Sequence, residues 1–134
     1  MKTAVRYFSK TGNTKSIAQA IADGAETTAV SIVDEPQLTE KVDILFLGGA
    51  PYANIMAPEL RTYAEKLSTD MVGKVVLFTT SNWSRRTVNA LRKLLTDKGI
   101  AVEKDYFYAH MLSISRRLDA AKDFGRKGIL SEQR

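Results

Sequence analysis

Apolar, β-prone segments alternate with helical segments along the whole of this sequence. The clearest strand, Val42–Gly49, has apolar residues in a continuous run, which is typical of a central strand covered on both faces. A helical segment such as Asn13–Asp23 instead spaces its apolar residues along one face. The alternation predicts parallel βαβ units with right-handed crossovers. We therefore expect an α/β fold: a three-layer, doubly wound sheet of about five parallel strands with about five helices.

The predicted elements occupy nearly all of the 134 residues, so one domain covering 1–134 is expected. Strands are predicted at Thr3–Phe8, Thr27–Val33, Val42–Gly49, Lys74–Thr80 and Ile100–Tyr108. Helices are predicted at Asn13–Asp23, after Pro58, and at Thr87–Lys98 and Arg116–Lys127, while Asp34–Lys41 has room only for a short helix or turn. No repeat or linker interrupts the series.

The amino-acid composition argues against several kinds of catalytic and metal site. The absence of cysteine excludes thiolate catalysis and cysteine-bound metal, and one histidine makes a His-rich metal site implausible. That histidine, His110, is expected at a strand end or on the surface. No metal and no catalytic side chain are predicted, so redox chemistry would need a bound organic cofactor.

The net charge of +5 is unevenly distributed. Residues 1–66 contain 7 Lys or Arg and 8 Asp or Glu, whereas residues 67–134 contain 13 and 7. A solvated helical surface explains this charge, and a charge-steered protein partner is the second explanation. No nucleic-acid motif accompanies the basic residues, and no apolar run has the length of a membrane span. We expect a soluble, cytoplasmic protein that binds neither nucleic acid nor membrane.

A hydroxyl-rich loop joins the first strand to the first helix. The first amides of a helix lack intrahelical partners and carry partial positive charge, so they can hold a phosphate. Gly12 lets the backbone approach the anion, and the hydroxyls of Ser9, Thr11 and Thr14 can add hydrogen bonds. The pattern is neither a Walker A loop nor the dinucleotide G-x-G-x-x-G turn. The alternative is an ordinary strand-to-helix turn with a good N-cap.

This loop resembles the phosphate-binding loop of flavodoxins, a resemblance carried by Ser9, Lys10, Thr11, Gly12, Asn13 and Thr14. It implies strand order 2-1-3-4-5, non-covalent binding of FMN, and single-electron transfer between redox partner proteins. Those six residues would hold the phosphate. One side of the flavin ring would be formed by Pro51, Tyr52, Ala53 and Asn54, and the other by Ser81, Asn82 and Trp83. The glycines Gly48 and Gly49 are expected to leave room for the ligand.

The sequence departs from the acidic flavodoxins in its charge. Lys10, Arg85 and Arg86 lie where carboxylates would disfavour reduction of the flavin, so we expect a fully reduced flavin that forms more easily and partners that are acidic. Two alternatives remain open: a small FMN-dependent NAD(P)H or quinone reductase, and a flavodoxin-like binding module that no longer holds flavin. A monomer is the favoured state.

Overall fold

The computed structural model describes residues 1–52, 55–81 and 84–132, the last two by their backbone only. The strands in these ranges are β1 (Thr3–Phe8), β2 (Ala29–Ser31), β3 (Val42–Gly49), β4 (Pro51–Tyr52), β5 (Ile55–Met56), β6 (Val72–Ser81) and β7 (Phe107–His110). The helices are α1 (Asn13–Gly24), α2 (Pro58–Glu65), α3 (Arg86–Asp97) and α4 (Ile114–Glu132).

Five of the strands form one parallel sheet in the order β2-β1-β3-β6-β7. Counting only these five strands along the chain, the order is 2-1-3-4-5, which confirms the predicted fold class. The other two strands, β4 and β5, form a small antiparallel hairpin immediately after β3. Because neighbouring main-sheet strands are parallel, their carboxyl ends all lie at one edge of the sheet, which we call the carboxyl edge.

The central strand β3 is buried on both faces, as its continuous apolar sequence predicts. Leu45 and Leu47 belong to the apolar layer that contains Leu60 of α2, whereas Ile44 and Phe46 belong to the layer that contains Ile17 of α1. Successive side chains of a strand point to opposite faces, so an unbroken apolar run supplies two cores at once. The helices α2 and α3 cover the first layer, and α1 and α4 cover the second.

Glycines allow α1 and α4 to approach closely. A Cβ built on Gly24 would lie 1.8 Å from the carbonyl oxygen of Lys122, and one built on Gly125 would lie 2.1 Å from that of Ile21. Both contacts are with backbone atoms, which cannot rotate away as a side chain can. The position of α1 against the sheet therefore depends on the absence of side chains at these two crossing points.

The last predicted strand, Ile100–Tyr108, is wrong in its extent. An isolated bridge joins Val102 to Val75, and regular pairing resumes only where Phe107 stands opposite Phe78. The chain advances five residues between these points while β6 advances three, so the extra residues bulge out of the sheet. The second strand is also shorter than predicted.

The expected number of helices is also corrected. Within the described ranges there are four helices, because the stretch from Asp34 to Lys41 forms turns and irregular backbone. Pro36 lies in the middle of this stretch, and its ring removes an amide donor that a helix would need. The last helix, α4, is longer at both ends than predicted.

A buried polar cluster lies beneath α2. The guanidinium of Arg6 pairs with the Glu35 carboxylate at 3.0 Å, and its side chain is 12% exposed. The hydroxyl of Tyr63 is buried without a hydrogen-bond partner. Burial raises the pKa of Tyr63 to about 12, even though nearby Arg6 lowers it. Tyr63 therefore stays neutral across the physiological range.

No helix within the described ranges is both long enough and apolar enough to span a bilayer. Among the same residues, no three His, Cys, Asp or Glu side chains come together in a group that could hold a metal ion.

Candidate functional site

The loops that follow β1, β3 and β6 meet at the carboxyl edge because these three strands are neighbours. Phe8, the last residue of β1, stands opposite Gly49, the last residue of β3. Gly48 stands opposite Phe78 of β6, which continues for three more residues to Ser81. The topology therefore brings together the loops that the sequence predicts to form one crevice.

The loop between β1 and α1 is shaped by Gly12. Its amide donates to the Ser9 hydroxyl over 3.0 Å, and its φ of 93° lies in the left-handed region. A Cβ at this position would meet no heavy atom of the described residues within 4 Å. Glycine is therefore needed for backbone conformation, and the space beside it is free for another molecule.

Several amides of this loop have no acceptor. Within the described residues, the N–H groups of Thr11, Asn13, Thr14 and Lys15 make no hydrogen bond, whereas Ser16 closes the first helical turn onto the Gly12 carbonyl. No side chain caps α1, and its first turn contains no acidic residue. Unpaired amides at the positive end of a helix dipole are suited to an anion.

The hydroxyl of Thr14 is buried and contacts the carboxyl end of β6. It is 2.7 Å from the hydroxyl of Thr80, and both residues are 1% exposed. Each hydroxyl can donate once and accept twice, so this contact leaves Thr14 with further hydrogen-bonding capacity. Thr80 therefore ties the carboxyl end of β6 to the first turn of α1. Sequence reasoning missed Thr80, although a hydroxyl at the end of a buried apolar strand was a usable signal.

Tyr52 is bound to the same loop. Its hydroxyl accepts a hydrogen bond from the Lys10 amide at 2.8 Å, and its ring packs edge-on against Phe8 with 6.1 Å between centroids. The Lys10 ammonium lies 4.5 Å from the ring centroid, in a cation–π contact. Tyr52 thus links the hairpin after β3 to the loop between β1 and α1 and places an aromatic ring beside it.

The loop after β6 is closed by hydrogen bonds around Ser81. The Ser81 hydroxyl donates to the Ser84 carbonyl at 2.9 Å, and the Ser81 carbonyl accepts from the Tyr108 hydroxyl and the Met111 amide. These contacts hold the two ends of the loop together and attach it to the turn after β7. Ser81 is buried, and its assignment to one side of a ring stays a prediction.

The prediction that Gly48 and Gly49 leave room for a ligand is wrong. A Cβ on Gly48 would lie 2.2 Å from the Phe78 carbonyl oxygen, and one on Gly49 would lie 2.9 Å from Cδ2 of Leu60. The protein itself fills this space. Thr79 also donates to the Gly49 carbonyl at 2.7 Å, so the end of β3 is fixed by β6.

The remaining predicted site residues fall into two groups. Thr11 is exposed at the loop surface, Asn13 begins α1, and Pro51 pairs with Met56 in the hairpin. Ala53, Asn54, Asn82 and Trp83 lie outside the described residues, so their assignment to the two sides of a ring stays a prediction. His110 is the last residue of β7, at a strand end as expected.

Similar proteins were identified in sequence and in structure. A family model described as a flavodoxin domain matches residues 4–112. No curated protein matches the sequence. Among solved structures, a flavodoxin from the domain Archaea is 19% identical with a TM-score of 0.76, over 95% of each chain. Oxidised flavodoxin 1 from Bacillus cereus is 18% identical with a TM-score of 0.75, over 92% of this chain and 94% of that one.

A third similar structure is a Fusobacterium nucleatum flavodoxin bound to flavin mononucleotide, 16% identical with a TM-score of 0.72 over 98% of this chain and 99% of that one. At these identities the structural matches establish the fold, and the family model, which spans most of the sequence, establishes the relationship. The protein belongs to the flavodoxin family.

Proposed function

We propose that this protein binds FMN non-covalently at the carboxyl edge and transfers single electrons between redox proteins. The observation that supports this most directly is the loop at the start of α1, where four amides lack acceptors beside a glycine with open space. These groups fit the phosphate of FMN and would give nothing to riboflavin, which lacks it. A flavin supplies one-electron chemistry when bound.

The residues of this chain would hold and orient the cofactor. The amides of Thr11, Asn13, Thr14 and Lys15 would bind the phosphate oxygens, and the Thr11 hydroxyl is exposed where it can add a bond. Tyr52 would form one side of the flavin ring site, and its bond to Lys10 holds it beside the loop proposed for the phosphate. Trp83 is proposed for the opposite side of the ring.

Positive charge near the ring would set the redox potentials. Lys10, Arg85 and Arg86 are exposed at the carboxyl edge. Within a screening length of about 8 Å, such charges stabilise the negative charge that full reduction adds. We expect a second reduction potential less negative than those of acidic flavodoxins. Potentiometric titration in which the second potential is as negative as theirs would refute this effect of charge.

The function is tested by comparing FMN with riboflavin. Purified protein loaded with FMN should be yellow and release FMN on denaturation, and the combined Thr11→Ala and Thr14→Ala variant should lose at least about tenfold in FMN affinity with a much smaller loss for riboflavin. Thr69→Ala, on an exposed loop, is the control. Protein that fails to quench FMN fluorescence would support the flavin-free binding module instead. Equal losses for both ligands would place the phosphate elsewhere.

A further inference from the structure

Basic residues are concentrated at the carboxyl edge of the sheet. The segments that follow β1, β3, β6 and β7 at this edge, residues 9–16, 50–61, 81–89 and 110–117, contain seven Lys or Arg and one acidic residue. The uneven charge of the sequence is therefore not spread evenly over helix surfaces, because the fold collects much of it at one edge.

Four arginines of this edge lack a partner among the described residues. In the described part of the chain, the guanidinium groups of Arg61, Arg85, Arg86 and Arg116 make no hydrogen bond or ion pair. Several cations elsewhere are paired, as Lys2 is with Glu40 at 2.6 Å and Lys74 is with Glu103 at 2.8 Å.

These arginines also occupy unfavourable places within their helices. Arg61 and Arg116 lie in the first turns of α2 and α4, and Arg85 and Arg86 form the start of α3. Acidic residues are stabilising at such positions and basic residues are not, because the helix dipole is positive there. Neither α3 nor α4 has an acidic residue in its first turn. The edge is thus more positive than the stability of its helices favours, which indicates a use outside the folded chain.

Exposed apolar side chains lie at the same edge of the sheet. Leu112 is 86% exposed, Ile55 is 56% exposed and Met111 is 46% exposed. Ile55 lines a surface cavity of about 260 Å³ with Arg61 and Arg86 and with no acidic residue.

Hydrogen bonds fix the backbone at two of these apolar residues. The Met111 amide donates to the Ser81 carbonyl, which places the turn after β7 directly beside the loop after β6. The Leu112 amide donates to Nδ1 of His110 at 3.1 Å, which holds the turn and leaves the Leu112 side chain in solvent.

These residues all follow the carboxyl ends of three neighbouring strands. The strands β3, β6 and β7 are consecutive in the sheet, so their ends span only about 10 Å across the strands. A protein interface typically covers about 800 Å² on each partner, with an apolar centre and a polar rim. We name this surface the basic edge, and it consists of Ile55, Arg61, Arg85, Arg86, Met111, Leu112 and Arg116.

On the basis of the flavin-carrier function proposed above, we propose that the basic edge is the docking surface for an acidic redox protein, one that presents carboxylates around an apolar contact. Arg85 and Arg86 steer the approach of the partner, and Leu112 with Met111 forms the apolar contact beside the loop after β6. Acidic flavodoxins would select basic partners by the same physics with the opposite sign.

The test measures second-order rate constants of electron transfer by stopped flow with two probes. One electron passes from a reduced plant-type [2Fe–2S] ferredoxin, an acidic protein, to the oxidised FMN-loaded chain. In the second assay, one electron passes from the reduced FMN-loaded chain to ferric cytochrome c, a basic protein. At an ionic strength of about 0.01 M, Arg85→Glu with Arg86→Glu should slow the ferredoxin reaction about tenfold and speed the cytochrome c reaction. The slowing should largely disappear in about 0.5 M salt.

Matched variants separate local steering from net charge. Lys41→Glu with Lys104→Glu makes the same change in charge near the amino ends of β3 and β7, and it should alter both rates by less than about twofold. Leu112→Ser should slow the ferredoxin reaction about fivefold with little dependence on salt, because the lost contact is apolar. Leu130→Ser, an exposed leucine of α4, should not change either rate.

The proposal is overturned if both charge pairs slow the ferredoxin reaction equally, or if the unaltered chain reacts faster with cytochrome c at low salt. Titration with FMN distinguishes failure of the docking surface from failure of the proposed function. The Leu112→Ser variant should bind FMN as the parent does. The Arg85→Glu, Arg86→Glu variant is assayed at saturating FMN, because these arginines are also proposed to lie near the flavin ring. If the chain binds no FMN, calorimetric titration with oxidised ferredoxin tests the surface directly. Absence of binding, or binding unchanged by Arg85→Glu with Arg86→Glu, would then refute it.

Discussion

The buried hydroxyl pair of Thr14 and Thr80 offers the sharpest test of how β6 stabilises the loop between β1 and α1. Their oxygens are 2.7 Å apart and both side chains are 1% exposed. Replacing either residue with valine keeps the side-chain shape but leaves the other hydroxyl buried without this partner. Each single variant should lose about 1–3 kcal/mol of unfolding free energy.

The double variant should be close to neutral, because neither position then leaves a buried hydroxyl without its partner. This double-mutant cycle is therefore expected to show a coupling energy of at least about 2 kcal/mol between the two positions. Urea unfolding of the flavin-free protein in buffer without phosphate measures all four corners of the cycle. Thr69→Val, at an exposed position, should change the unfolding free energy by less than about 0.5 kcal/mol.

FMN affinity distinguishes the structural role expected of Thr80 from the binding role expected of Thr14. Thr80→Val leaves the Thr14 hydroxyl and the loop amides in place, so FMN affinity should fall by less than about threefold. Thr14→Val should reduce affinity for FMN by at least about tenfold with a much smaller effect on riboflavin. If the two single losses of stability simply add in the double variant, the hydroxyls are not coupled and this description of the loop is wrong.

Three further predictions concern other parts of the molecule. Gly125→Ala should destabilise the protein by at least about 2 kcal/mol, because its Cβ would meet the Ile21 carbonyl; a smaller change in urea unfolding would mean that α1 and α4 separate easily. Burial raises the folded-state pKa of Tyr63 to about 12, so its contribution to the free energy of unfolding is present below pH 10 and is lost as the pH rises to 12. Between pH 10 and 12 the unfolding free energy of the parent protein should fall by about 3 kcal/mol more than that of Tyr63→Phe, and parallel pH profiles would contradict this. Tyr52→Phe should speed hydrogen exchange of the Lys10 amide about fivefold, as measured by NMR, because it removes that amide's acceptor.

Local patterns were sufficient for most of the architecture. The continuous apolar run of β3 predicts burial on both faces, and the structure divides it between two apolar layers. The sequence pattern was misleading where β-propensity and strand register conflicted. Residues 100–108 are β-prone, but their register against β6 contains extra residues, so the chain bulges and pairs again only at Phe107.

For the site, the sequence by itself determined the conformation of the loop between β1 and α1, since unpaired helix amides and a left-handed glycine are properties of a dozen consecutive residues. Only the tertiary structure decided what surrounds that loop: Thr80 beneath Thr14, the Tyr52 hydroxyl on the Lys10 amide, and Phe78 and Leu60 in the space expected beside Gly48 and Gly49. It also decided that arginines from three separate helices meet at one edge. The physical reason is range: helix and turn preferences act over a few residues, whereas the Thr14–Thr80 and Lys10–Tyr52 contacts join positions 66 and 42 residues apart, whose proximity depends on strand order.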